Sequence, residues 1–259
     1  MNDGTGQEGV SICMATYNGA RFLDEQLRSI LHEMTTSDEL IIVDDGSTDG
    51  TREILRELND ARVRIHENRQ NEGHVPSFAK AIELAQRPYI LLADQDDRWP
   101  RGRVSVLVSA LRGRGAVAAT SNHELIDSDG CKIDCKVSRL RSADSTRHAL
   151  NILRIFRGGS QYFGCAMAFS RELKQLVLPI PRFVESHDIW IALASNLIGS
   201  NIHVETSTVF RRIHGNNVSL KHRSVGAKIY SRLGYALSLV VLWIRYRLWP
   251  GRHDQPKLA

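Results

Sequence analysis

The sequence predicts an α/β fold on a mostly parallel central sheet, and three strand ends predict it. Val10-Ser-Ile-Cys-Met-Ala-Thr-Tyr-Asn-Gly19, Glu39-Leu-Ile-Ile-Val-Asp-Asp-Gly46 and Tyr89-Ile-Leu-Leu-Ala-Asp-Gln-Asp-Asp97 each run from a short apolar stretch into polar or acidic residues. A helical pattern follows each one. Strands that alternate with helices pair in parallel, and open α/β sheets bind ligands beyond the carboxyl ends of their strands. The groups delivered there are Thr16, Tyr17 and Asn18, then Asp44 and Asp45, then Asp94, Asp96 and Asp97. They read as one site.

Each element has its own signal. Residues 20 to 34 place Phe22, Leu23, Leu27, Ile30 and Leu31 near one helical face. Ser47, Thr48 or Asp49 can cap a helix over 51–58. A short strand is expected at 62–66, a helix at 75–85, a helix at 104–111 and a small-residue strand at 116–120. Residues 121–145 are polar, with a hairpin turn at Asp127-Ser-Asp-Gly130. Helices are expected at 146–156, 171–177 and 188–197, and strands at 163–169, 202–205 and 208–213. Pro179 and Pro181 interrupt the chain before His187-Asp188.

The length of 259 residues suits one α/β domain with an appendage, and a charged content of 24% with 42% apolar residues is globular. The net charge of +5 is unevenly placed: residues 201–259 hold ten Lys/Arg against two Asp/Glu, so the basic excess belongs to the tail. Cys131 and Cys135 stand in a C-x3-C spacing with no second pair to complete a zinc site, and Cys13 reads as a core residue. Met1 to Glu8 is polar and lacks the apolar core of a signal peptide, so a disordered stretch over 1–8 and a cytoplasmic location are expected.

Carboxylates crowded at a strand mouth repel one another. A divalent cation that shares their charge makes them favourable, and Mg²⁺ or Mn²⁺ prefers such oxygens while keeping positions open for phosphate. Asp94-x-Asp96 at a strand end therefore suggests a metal held for a diphosphate.

Ala15-Thr-Tyr-Asn-Gly19, Asp44-Asp-Gly-Ser-Thr-Asp-Gly-Thr51, Asn71-Glu-Gly73, Asp94-Gln-Asp-Asp97 with Trp99, His187-Asp188 with Trp190, and Arg212-Ile-His214 with Gly215-Asn-Asn-Val218 occur in this order. The set resembles a family-2 glycosyltransferase of the GT-A fold, in the flavour of its rhamnosyltransferase branch, over roughly residues 9–220. The resemblance implies a Rossmann-like single domain, a nucleotide-sugar-binding half at 9–120, an acceptor and catalytic-base half at 121–220, and inverting transfer from a nucleotide-sugar donor. Rhamnose follows from motif flavour alone.

The resemblance also implies roles. Asp96 and His214 would ligate the metal; Asp94 would meet the ribose or the metal; Arg212 would add positive charge at the diphosphate. Asp97 and Trp190 would lie on the acceptor side. A uracil or thymine offers an N3–H that a carboxylate can accept and a ring on which Tyr17 can stack; Asp44 or Asp45 would supply the carboxylate, so a UDP- or dTDP-sugar is expected. Thr16 and Asn18 can bond the base or ribose, and Asn71 and Gly73 can line the same pocket. Asp188 would be the base that deprotonates the acceptor hydroxyl, with Glu185 as its alternative; helix capping suits Asp188 equally well.

The tail, residues 221–259, is basic and apolar. Leu233 to Ile244 is apolar on nearly every side. Twelve helical residues rise about 18 Å, short of a hydrocarbon core of roughly 30 Å, so the expectation is a helix lying at the membrane surface through residues 224–249, with packing on the domain or in an oligomer as the alternative. The leading reading is a metal-dependent (Mg²⁺ or Mn²⁺) glycosyltransferase at the inner face of the cell membrane, acting on a glycan or lipid-linked acceptor in surface polysaccharide synthesis. A non-catalytic scaffold and a nucleotidyltransferase are the rivals; the latter needs a glycine-rich basic loop where Thr16-Tyr-Asn-Gly19 stands. No Walker loop, dinucleotide fingerprint or nucleic-acid module is present.

Overall fold

The computed structural model of the chain describes residues 8–135, 138–215 and 224–249. Its strands are β1 (Val10–Thr16), β2 (Glu39–Asp44), β3 (Val63–Glu67), β4 (Tyr89–Ala93), β5 (Ala118–Ile126), β6 (Met167–Ser170) and β7 (Asn201–Arg212). Its helices are α1 (Ala20–Glu33), α2 (Thr51–Glu57), α3 (His74–Leu84), α4 (Arg103–Arg114), α5 (His148–Arg157), α6 (Arg171–Val177), α7 (His187–Leu197) and α8 (Val225–Leu248).

The strands form one sheet in the order β3-β2-β1-β4-β6-β5-β7. All pairs are parallel except those of β6, which runs antiparallel to β4 and β5. The chain steps outward from β1 to β3, then returns to the other side of β1 with β4. That reversal opens a crevice beyond the carboxyl ends of β1 and β4. β2 and β7 end at the same edge.

Alternate residues of β1, β2 and β4 enter two cores. Cys13, Ile41, Val43, Ile90 and Leu92 pack towards α3, α6 and α7, and that core also takes Leu242 and Trp249 from the C-terminal end. Ile12, Met14, Leu40, Ile42 and Leu91 pack towards Leu23, Leu27 and Ile30 of α1 and Leu107 and Leu111 of α4. Burial on both faces is why these strands read as unbroken apolar runs.

Several expectations need correction. β5 continues to Ile126, past the end expected at 120 and into the polar stretch, because its polar side chains find partners inside: Ser121 Oγ pairs with Thr208 Oγ1 at 2.6 Å, and the Asn122 side chain bonds Leu140 N and O and Glu205 O. The two strands expected at 202–213 are one strand, whose pairing with β5 is irregular around Asn122. The strand expected from Phe163 begins only at Met167, after a 3₁₀ turn at Gly164–Ala166. The tail helix has 24 residues, about 36 Å, twice the apolar stretch on which the length argument rested. Its polar and basic first turns continue the helix that its apolar middle suggested, so the length argument against crossing a bilayer falls. From Gly226 to Leu248 the helix is long and apolar enough to cross a membrane by length and composition alone. Residues 1–7 of the expected disordered stretch, and Asn216, Asn217 and Val218 of the last motif, lie outside the described residues.

Candidate active site at the carboxyl ends of β1, β2, β4 and β7

The end of β1 is fixed by the neighbouring turns. Thr16 is buried and its Oγ1 donates to Asp44 Oδ1 at 3.0 Å. Tyr17 projects outward, with 45% of its surface exposed. Asn18 takes the left-handed conformation (φ 48°), a region asparagine tolerates; its Oδ1 accepts Thr48 N–H at 2.8 Å and its own N–H donates to Ser47 Oγ at 3.0 Å.

The two acids after β2 differ in capacity. Asp44 accepts from Thr16 Oγ1, Ser47 N, Ser47 Oγ and Arg52 Nε, which fills the four lone-pair positions of a carboxylate. Asp45 accepts from Asn68 Nδ2 and Glu72 N on one oxygen and from Gly73 N on the other, at 2.8–2.9 Å. One position on Asp45 Oδ2 stays open among the described residues. Both side chains are buried. Asp45 thereby ties the Asn71–Gly73 loop to β2; Gly73 has φ 98°, which favours glycine, and Asn71 is exposed.

β4 delivers the acids. Asp94 and Asp96 are half-buried and Asp97 is buried. Burial, then the charges of Asp97 and Asp96, hold the Asp94 carboxyl well above the usual range. Burial and Asp96 push Asp97 up to about 6. Asp97 Oδ1 accepts Arg212 N–H at 2.9 Å, and Asp97 Oδ2 is buried with no partner among the described residues. Asp96 Oδ2 meets His214 Nε2 at 2.8 Å. The pair expected to ligate a metal is thus in contact, joining the ends of β4 and β7. A second group, Asp94, Asp97 and Cys165, has its ligand atoms within 4.8 Å of one another. Carboxylate oxygens with one imidazole suit a hard or borderline cation such as Mg²⁺ or Mn²⁺. Neighbouring acids with raised pKa and an unpartnered buried carboxylate oxygen fit such an ion as well.

Arg212 has a different setting from the one expected. It is buried, and its guanidinium bonds Asp96 O, Asp127 O, Ser128 O and Glu25, clasping the β4 turn to the hairpin after β5. The charge of Arg211 reaches Asp94 and Asp97 and partly offsets the rise of both. Strand alternation puts two adjacent arginines on opposite faces, a signal that could have found Arg211. Sequence reasoning also missed Arg103, a buried cation beneath the acids. It donates to Thr208 O, Thr208 Oγ1, Leu92 O and Cys165 O, binding β4, the 3₁₀ turn and β7 together. Burial lowers its pKa to about 10.

Asp188 lies in the first turn of α7, where Ser186 holds the N-cap position. Its Oδ1 accepts from Ser186 Oγ and from Ile189 N, and its charge is felt at Asp94. His187 beside it is buried, stacked on Phe78 at 3.9 Å, with neither ring nitrogen partnered among the described residues. Glu185 accepts Ser231 Oγ of α8 at 2.7 Å. Trp190 is core: its indole N–H donates to Val177 O at 2.9 Å and Arg245 lies over its ring.

The "Glycosyl transferase family 2" description matches residues 11–174. The chain belongs to that family. The putative teichuronic acid biosynthesis glycosyltransferase TuaG of Bacillus subtilis is 31% identical over 127 residues, 48% of this chain and 50% of that protein. The UDP-Glc:alpha-D-GlcNAc-diphosphoundecaprenol beta-1,3-glucosyltransferase WfgD of Escherichia coli is 27% identical over 120 residues, 46% of this chain and 47% of that one. The chain spans about half the length of these curated relatives. Among solved structures, S. aureus TarS 1–349 in complex with UDP-GlcNAc superposes with a TM-score of 0.66 at 16% identity, covering 96% of this chain and 76% of that one. The mannosyltransferase PcManGT from Pyrobaculum calidifontis, in complex with GDP-Man and Mn2+, gives 0.62 at 17% identity, covering 94% and 75%. The fold is therefore the GT-A type of α/β sheet. The relatives are named glycosyltransferases of various kinds, so the rhamnosyltransferase branch is not marked out among them.

Proposed function

We propose that the chain transfers a sugar from a UDP- or dTDP-sugar, with inversion, to a glycan or lipid-linked acceptor during surface polysaccharide synthesis. The observation that carries this reading is the contact between Asp96 and His214 at the sheet's switch-point crevice, beside Asp94 and Asp97. Asp96 and His214 would hold Mg²⁺ or Mn²⁺, which when bound offsets the negative charge that develops on a leaving diphosphate. Tyr17 stacks on the base, and Asp45, with its one open acceptor position, takes the N3–H. Asn18, Asn71 and Gly73 border the same pocket. Arg211 supplies the local positive charge, and Arg212 keeps the turn in shape. Asp188 accepts the proton of the attacking hydroxyl. Rhamnose is one candidate for the sugar moved.

Support for a lipid-linked acceptor is twofold. WfgD is named for a diphosphoundecaprenol acceptor, and α8 is built inside out. The face packed on the domain carries Ser231 and Ser238 beside Leu242, whereas the outer face shows Ile229, Leu233, Leu237, Val240, Ile244 and Leu248. Spacings of three and four place these six on one stripe. Lys228, Arg232 and Arg247 accompany it. We read α8 as lying in the lipid–water boundary at the inner face of the cell membrane, because crossing would strip the packed face from the domain. On this reading residues 9–215 are the transferase domain and α8 is its membrane-surface attachment.

The test is release of nucleoside diphosphate from a panel of nucleotide-sugars, with Mn²⁺ and bacterial lipid extract supplied as acceptor. Release that depends on one donor and on the extract supports the reading. No release with any donor, while the fold is intact, favours the non-catalytic scaffold.

A further inference from the structure

Between α8 and the turn that leads into α7 lies a groove of about 170 Å³. Phe183, Val184, Ile189 and Trp190 form one wall, and Tyr230, Leu233, Gly234 and Leu237 of α8 form the other. The lining is overwhelmingly apolar. Its acid, Glu185, is engaged by Ser231 Oγ.

Two features show that the space is unfilled by the protein's own design. Gly234 sits in the interior of a 24-residue helix, where glycine is among the weakest helix formers. Yet a Cβ added to Gly234 would meet nothing within 4 Å. No close backbone approach calls for glycine there, and the missing side chain leaves the groove open.

The position of the groove indicates what enters it. Leu233 and Leu237 belong to the exposed apolar stripe of α8, so the outer wall is continuous with the surface read above as lipid-facing. The inner wall includes Ser186 and Ile189, both bonded to Asp188. The groove thus leads from the lipid side to the segment that holds the proposed base. Arg182 adjoins the lining residue Phe183 in sequence and Lys228 lies two residues before Tyr230; both are exposed cations.

We propose that this groove receives the first isoprenoid units of a lipid-linked acceptor, its phosphate held near Arg182 and Lys228 and its glycan directed to Asp188. The proposal rests on the transferase reading and names the acceptor class for it.

The probe is farnesyl phosphate, a short water-soluble isoprenoid phosphate, titrated calorimetrically into the full chain with inorganic phosphate as control. The expected result is saturable binding of farnesyl phosphate and none of phosphate. Gly234→Leu fills the groove with a better helix former and should weaken binding at least tenfold, with the thermal midpoint not lowered. Ala236→Leu adds similar bulk on the exposed face outside the groove and should change affinity less than twofold. UDP affinity with Mn²⁺ should be the same in all three chains. Equal binding by wild type and Gly234→Leu overturns the proposal, as does absence of binding to wild type or equal loss in Ala236→Leu. If UDP binds while farnesyl phosphate does not, the groove assignment fails and the transferase reading stands. If UDP fails to bind in every chain, the transferase reading is the one at fault.

Discussion

Gln95 holds the backbone of Tyr17 in a two-way clasp: Tyr17 N–H donates to Gln95 Oε1 at 2.9 Å, and Gln95 Nε2 donates to the Tyr17 carbonyl at 3.1 Å. The residue between the two acids of Asp94-x-Asp96 therefore sets where the exposed aromatic ring of β1 stands. It couples the proposed base-binding end to the proposed metal end across the crevice.

Loss of that clasp should be felt in donor binding. Gln95→Ala removes two hydrogen bonds at a partly exposed site, each worth about 1 kcal/mol. Affinity for UDP should fall roughly tenfold by calorimetry, with a thermal midpoint close to wild type. Unchanged affinity would show that Tyr17 needs no such positioning.

Asp188→Asn keeps the size of the side chain and removes its basicity. Transfer should drop by on the order of 10²–10⁴-fold while donor affinity is kept. Wild-type transfer in this variant would reduce Asp188 to a residue that orders the first turn of α7.

Arg103 is a buried cation whose bonds go to backbone of two strands and the 3₁₀ turn and to one hydroxyl. Arg103→Met leaves those acceptors buried and unpaired, so urea unfolding should show a loss on the order of 3–5 kcal/mol. A loss below about 1 kcal/mol would mean water replaces the guanidinium.

Stability should also decline in acid in a residue-specific way. Burial, then Arg211 and Arg139, lower the pKa of His123 to about 4, against about 6.5 unfolded. The unfolded chain takes up that proton first as pH falls, so His123 contributes stability that is full above pH 6.5 and lost towards pH 4. Asp94 and Asp97, with raised values, act in the opposite sense. The difference between wild type and His123→Leu isolates the histidine: wild-type urea midpoints should fall more steeply between pH 6.5 and 4. Parallel curves would contradict this.

The first half of the fold was legible because each strand from β1 to β4 is a short apolar run closed by a turn signal, and Asp96 and His214 meet as the motif order implied. β5 and β7 were harder. Their buried Ser121, Asn122, His123 and Thr208 look like loop residues until their partners, distant in sequence, are known. The role of Arg212 was hidden for the same reason: Glu25, Asp127 and Ser128 are brought to it only by the fold. The apolar middle of α8 was read correctly; a bilayer span judged from twelve residues left out the further turns that its polar ends add.

Asp96 and His214 are proposed to hold a divalent cation for a nucleoside diphosphate. Calorimetric titration of UDP into wild type and Asp96→Asn, each with Mn²⁺ and with chelator, tests it most directly. Binding to wild type should need Mn²⁺, and Asp96→Asn should lose at least tenfold in affinity with the fold intact. Equal affinity in both chains, indifferent to chelator, would contradict it.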